Sequence, residues 1–205
     1  MTVARQNKDS WGLLAIETLR ASMEEYCSLS DQTWNEFSRI LSPRVLKRHA
    51  VWFLAGEIPS SFGFVFSGLL RFYVTDTKGN EYNKVFFPEG TYPGSMVSLL
   101  EQKPSDFSIQ ALEETRLITV NFHKYRELLQ QYEDLKWFHI LYLEKNWVLA
   151  KESREVALVQ ENATQRYLSF RERYPELEAR LSQYHIASHI GITPTQLSRI
   201  RTALS

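Results

Sequence analysis

Cysteine is nearly missing from this 205-residue chain: Cys27 stands alone. That excludes an internal disulfide framework and an iron–sulfur cluster, which needs several thiolates. Histidine is scarce where a metal site would need it. The β-rich middle of the chain contains His49 and no His-x-His pair, so a cupin-type jelly roll would lack its ligands. Haem ligation by His49 or His123 has no motif around it. P-loop, Gly-x-Gly-x-x-Gly and Ser/His/Asp motifs are absent too, so no catalytic residue and no metal ligand is assigned. No apolar run approaches the roughly 18 residues that span a bilayer. The first ten residues, with Arg5, Lys8 and Asp9, lack the apolar core of a secretion signal. A cytoplasmic protein without membrane contact is expected. Net charge is missing as well, with 24 basic and 24 acidic residues. Any nucleic-acid affinity must then come from a local patch.

What is present falls into three stretches. From Trp11 to Ile40 the pattern is helical, with Leu13, Leu14, Ile16, Leu19 and Met23 as one apolar face and a second start at Ser30-Asp31. From Val45 to Val120, short aromatic and β-branched runs predict strands at Phe62–Phe66, Leu69–Val74, Tyr82–Pro88, Phe107–Ala111 and Arg116–Val120. Gly56, Gly68, Gly79 and Gly90 punctuate that region as turn residues. Such spacing suggests a small antiparallel barrel or jelly roll. From Lys124 to Val159 there is neither Gly nor Pro, which predicts a long helix. Within it Leu141 and Val148, and Ile140 and Trp147, are seven apart. With Trp137 they form a seam suited to a second copy of the chain.

The most specific local pattern lies between Gln183 and Arg201. Ile186 and Ile190 share a helix face, Ala187 keeps a crossing point small, and Gly191 suits a left-handed helix stop. Thr193 is a good N-cap, Pro194 fits the first helical position, and Leu197 and Ile200 face a core. Together these describe a helix-turn-helix. Thr193, Thr195, Gln196, Ser198, Arg199 and Arg201 are the candidate DNA-binding residues, Arg199 being able to grip a guanine edge with two hydrogen bonds. Residues 183–205 carry two arginines, two histidines and no acid. A dimer would place two such helices about 34 Å apart, on successive major-groove faces.

At this point the chain resembles the Crp–Fnr superfamily of transcription regulators, from about Leu29 to Arg201. The resemblance rests on the Phe53-Leu-Ala-Gly-Glu57 turn, the run Phe64–Tyr73, Gly79-Asn-Glu81, Phe87–Gly94, the long helix and Ile186–Arg201, in that order. It implies an α+β chain with three parts. These are an antiparallel β-roll (jelly roll) sensor domain with N-terminal helices at 1–123, a dimerisation helix at 124–160 and a helix-turn-helix domain at 161–205. The wing of that last domain is expected to be minimal or absent, because the chain ends four residues after Arg201. Implied partners are double-stranded DNA, a second copy, RNA polymerase and a small-molecule effector of unknown identity; no cofactor is required.

The departures from the family carry as much information. Its cyclic-nucleotide binders use a cassette with a Glu for the ribose and an Arg for the phosphate. The matching stretch here, Gly94–Phe107, has Ser95 in place of the Glu and Ser105 in place of the Arg, with Asp106 beside it. Loss of that charge-assisted bond alone is worth about 1.5–3 kcal/mol. Lys103 would supply only a point charge. The reading is weak or absent cyclic-AMP binding, with Tyr92, Gly94, Ser95, Met96, Ser105 and Asp106 lining the equivalent pocket. The recognition helix departs too: Thr195 stands where the family often has a cytosine-reading Glu. The competing reading is a ligand-sensing or protein-interaction module with a degenerate DNA-binding domain.

Overall fold

Ala15, Leu19 and Met23 recur every four residues, and all three are fully buried in the computed structural model of the chain. That model describes residues 3–149 and 161–204. The apolar stripe of α1 (Val3–Glu24) therefore centres on these residues. Leu13 and Leu14, expected on the same face, are instead 66% and 54% exposed. After α1 the chain restarts at α2 (Asp31–Ser38), where the Ser30 side chain accepts the Thr33 N–H, as Ser30-Asp31 suggested.

Among the described residues, seven strands follow in two sheets. The first has the order β1 (Leu41–Leu46), β7 (Thr115–Asn121), β3 (Ser61–Ser67), antiparallel throughout. The second has the order β2 (Val51–Phe53), β6 (Ser108–Ala111), β4 (Leu70–Thr75), β5 (Glu81–Phe87). The five expected strands are present. β1 and β2 were not expected, and β1 carries Pro43 opposite Ile118. Proline is tolerated there because β1 is an edge strand. The β3–β4 turn needs Gly68: its φ is +100°, and a Cβ would lie 2.5 Å from the Glu114 carbonyl oxygen.

The expected single helix from Lys124 is broken. α4 (Phe122–Gln131) ends at Tyr132, whose backbone is extended, and α5 (Glu133–Leu143) starts afresh. The restart puts Asp134 in a first turn, where it accepts the Ser30 N–H at 2.8 Å and the Thr33 hydroxyl at 2.6 Å. It also turns Leu135 and Phe138 into the core. A π turn, Glu144–Val148, then interrupts the helical period, so the seven-residue pairs Leu141/Val148 and Ile140/Trp147 straddle an irregular turn. The remainder of the expected helix, 150–160, lies outside the described residues.

The chain divides into two compact units: Met1–Phe72 with Phe86–Glu144, and Tyr73–Val85 with Lys145–Ser205. This differs from expected boundaries at 123 and 160, because the β4–β5 hairpin groups with the C-terminal helices. The first unit closes on one apolar core, from α1, α2, β3, β7, α4 and α5, with Phe37, Phe62, Phe64, Ile118 and Tyr125 at its heart. In the second unit, α6 (Ala163–Arg173) begins with a capping box between Asn162 and Gln165. α7 (Leu177–Arg180), α8 (Gln183–Ile190) and α9 (Pro194–Leu204) complete it. Tyr167, Phe170, Leu177, Leu181, Ile186, Ala187, Ile190 and Leu197 are buried among these helices. No helix among the described residues is long and apolar enough to cross a membrane.

Candidate functional site

The helix-turn-helix is built by its termini. Ser182 caps α8, its Oγ accepting the His185 N–H at 3.3 Å. Gly191 ends α8 at φ +71°, and the Ile192 N–H folds back to the Ala187 carbonyl at 3.0 Å. Thr193 then caps α9: its Oγ1 accepts the Gln196 N–H at 3.2 Å, while Gln196 Oε1 accepts the Thr193 N–H at 2.9 Å. Ile186, Ala187 and Leu197 are buried behind this corner. Thr195, Ser198 and Arg199 project from α9 as exposed residues. Gln196 is exposed too, but its side chain is engaged in the capping box.

Arg201 departs from the expected outward set. Its Nε donates to the Tyr167 hydroxyl at 3.1 Å, its Nη2 lies 3.2 Å from Glu178 Oε1, and its guanidinium stacks 5.7 Å from the Tyr167 ring centre. Tyr167 also hydrogen-bonds Glu178, which pairs with Arg171 at 3.1 Å. Burial first, and then the Glu178 carboxylate, push the Tyr167 pKa up. An acid just upstream of the pattern thus takes up one of its two arginines. Arg199 is left as the arginine of α9 with no ion pair among the described residues.

The cassette matching the cyclic-nucleotide site lies in the other unit. Ser95 opens the short helix α3 (Met96–Glu101). Ser95, Ser98 and Ser105 are 5%, 6% and 2% exposed. Ser95 Oγ lies 3.0 Å from Ser98 Oγ and 2.9 Å from Ser105 Oγ, and Ser105 Oγ also accepts the Phe107 N–H at 3.1 Å. These hydroxyls therefore satisfy one another. Gly94 packs against Phe62, whose Cβ would sit 2.9 Å from an added Cβ. Met96 packs against the apolar core. Tyr92 turns away from the serines: its hydroxyl donates to Ser22 Oγ at 3.1 Å, and its ring meets Phe64 and Tyr142. Burial raises its hydroxyl pKa far above the ordinary value. Asp106, next to Ser105 in sequence, is exposed to solvent while Ser105 is buried. Lys103 is also exposed, and pairs with Glu101 at 3.1 Å.

On α5, Trp137 and Ile140 are 53% and 36% exposed and Leu141 is half-buried; Trp147 and Val148 in the π turn are 43% and 63% exposed. The sequence reading missed the polar face of α8, where His185, Ser188 and His189 contact β5. The helical period placed Ile186 and Ile190 inward but held no sign of what the other face meets.

Residues 43–132 match the family model of the cyclic nucleotide-binding domain. No curated protein matches the sequence. Among solved structures, the chain is similar to CLP, the c-di-GMP-responsive global regulator of Xanthomonas campestris. That match has TM-score 0.67 and 16% identity, covering 85% of this chain and 91% of that one. FixK2 from Bradyrhizobium japonicum gives TM-score 0.67 at 14% identity, covering 80% and 84%. The catabolite activator protein of Thermus thermophilus gives 0.55 at 18% identity, covering 89% and 86%. This chain thus carries a cyclic nucleotide-binding-type domain at residues 43–132 and is Crp–Fnr-like in fold.

Proposed function

We propose that this chain is a sequence-specific DNA-binding transcription regulator that works as a pair of identical subunits. The observation that carries the reading is α9: a capped helix, anchored by Leu197, that exposes Thr195, Ser198 and Arg199 and keeps no acid on that face. Those groups can bond base edges and phosphates, and an unpaired guanidinium is the side chain best suited to guanine. The exposed Trp137 and Ile140 on α5 supply an apolar surface that a second copy would cover. The usual cyclic-nucleotide chemistry is not part of this function. The cassette offers buried neutral hydroxyls already bonded to each other, where a phosphate needs a cation.

The test is selection of duplexes from a random pool, followed by gel shift at several salt concentrations. A bound sequence whose affinity falls steeply with salt supports the regulator. Arg199→Ala should then reduce discrimination among duplexes by about 1–3 kcal/mol. Unchanged discrimination would remove Arg199 from base reading. Cyclic AMP should leave the thermal midpoint unshifted; a clear rise would overturn the account of the cassette. A second reading, an interaction module with a degenerate DNA-binding end, draws on the engagement of Arg201, Gln196 and Thr193, which leaves Thr195, Ser198 and Arg199 as the three readers. Failure to enrich any duplex would favour it.

A further inference from the structure

β5 is the last strand of its sheet. The backbone groups of Glu81 and Asn83 that point away from β4 therefore have no neighbouring strand, a position that sheets must cover or leave to water. Here α8 covers it. The Asn83 N–H donates to Ser188 Oγ at 3.1 Å, and Ser188 Oγ donates to the Glu81 carbonyl at 2.6 Å. His189 Nδ1 lies 2.7 Å from the Asn83 carbonyl. A carbonyl only accepts, so Nδ1 carries the proton. The Asn83 amide completes the contact, its Nδ2 lying 3.3 Å from the His185 carbonyl and 3.4 Å from His185 Nδ1. Asn83 is 0% exposed.

His185, Ser188 and His189 are three and four residues apart, hence on one face of α8. The opposite face buries Ile186, Ala187 and Ile190. The His189 ring also packs edge-on against Phe170 and Tyr174 near the end of α6, at 5.7 and 6.0 Å between ring centres. One residue thus joins hairpin, α8 and α6. Residues 163–204 form only helices among those described, so the strands in this unit come from the hairpin.

We propose that the β4–β5 hairpin is a strap that fixes the first helix of the helix-turn-helix, with Asn83, Ser188 and His189 as its fastening. The strap is a conformational device beyond the DNA-binding reading, and only one arm of its test depends on that reading. The closed strap occupies α8 and leaves Thr195, Ser198 and Arg199 exposed on α9. Closure is therefore the state in which the reading face is both held and open. Release would free α8 to shift, and α9 with it.

Hydrogen exchange on the full chain tests the fastening without DNA. Ser188→Ala removes the hydroxyl that serves both Asn83 and Glu81, and alanine is a better helix former, so the fold is retained. Amides at 81–84 and in α8 should then exchange at least tenfold faster, with those of β3 unchanged. Asn83→Leu, close in shape, should produce the same pattern. Unchanged exchange at 81–84 in both variants overturns the strap. In the DNA arm, Ser188→Ala should weaken a selected duplex fivefold or more without altering the salt slope. Unaltered affinity overturns the link between strap and reading face. A shallower slope does so too, because it would mean Ser188 touches phosphate. If no duplex is selected at all, the exchange arm still decides whether the fastening exists.

Discussion

The two compact units hold themselves together by different means. The larger closes on aromatic and aliphatic side chains: Phe37 and Phe62 meet Tyr125, and Phe64 meets Tyr92, at ring distances of 5–6 Å among fully buried aliphatics. The smaller has a shorter apolar list and leans on polar contacts between side chains and backbone. Arg166 donates from Nε to the Ile190 carbonyl at 2.8 Å and from Nη1 to the Glu161 carbonyl at 2.8 Å. Ser188 and His189 bind β5 backbone, and Glu178 collects Tyr167, Arg171 and Arg201. Apolar packing scales with volume and tolerates exchange of one hydrophobe for another. A polar contact depends on particular atoms, and removing one partner strands the other. The first unit should therefore be sensitive to size and the second to chemistry.

Truncation of the apolar core should have the largest effect. Phe64, 1% exposed on β3, should cost about 3–5 kcal/mol as Phe64→Ala, and markedly less as Phe64→Leu, in chemical denaturation of the full chain. Equal costs for the two would mean that the ring's shape, and not its volume, is what the core uses. In the smaller unit Glu178→Ala should cost about 1–2 kcal/mol, since Glu178 and Arg201 are each near 30% exposed and partly screened. Glu178→Gln, which keeps the volume, should be nearly as damaging. If the Gln variant behaves as wild type, charge and acceptor count do not matter there and the contrast between units fails.

Where the sequence carried cap and turn chemistry the structure agrees with it, whereas helical periodicity held only in part: Leu13 and Leu14 lie outside the buried stripe of α1. Gly191, Thr193 and Pro194 stop one helix and start the next, and Ile186, Ala187 and Leu197 are buried, because each follows from local backbone rules. The five strands rich in aromatic and β-branched residues were legible for the same reason. β1 was hidden by Pro43, whose tolerance depends on an edge position that only the assembled sheet reveals. The break at Tyr132 was hidden because no Gly or Pro marks it; a tertiary contact, Asp134 to Ser30 and Thr33, decides it. Arg201 was misplaced because Glu178 lies outside the motif that contains it. In the cassette, the Ser95 and Ser105 replacements could be read, but the bonding of the hydroxyls to each other and the exposure of Asp106 depend on side-chain direction.

Asp134 offers a smaller test, within the apolar unit, of whether polar atoms matter there too. Partial burial alone would raise its pKa. The hydrogen bonds from Thr33 and from the Ser30 N–H outweigh that effect and hold it below the ordinary value. A depressed carboxylate contributes stability that is present above its unfolded pKa of about 3.9 and is lost as pH falls through the lower folded value. Asp134→Asn should accordingly cost about 1–2 kcal/mol at pH 7, and the gap to wild type should narrow on acidification below about pH 4. Denaturation curves at pH 7 and pH 3 measure both. A gap that stays constant would assign the effect to packing.

The finest effect is expected at the start of α9, where stability and recognition draw on the same side chains. Thr193→Ala removes the N-cap and should cost about 1 kcal/mol, whereas Thr193→Ser, which keeps the oxygen, should cost little. Gln196→Ala removes only the reciprocal half of the capping box, so its stability cost should be smaller than that of Thr193→Ala. Its effect on duplex binding separates two arrangements. If Gln196 stays in the capping box on DNA, discrimination among duplexes is unchanged, and the reading falls to Thr195, Ser198 and Arg199. If discrimination drops, Gln196 leaves the box on binding. The Thr193 N–H would then lose its partner in the complex, and the smaller unit would exchange an internal polar contact for an external one.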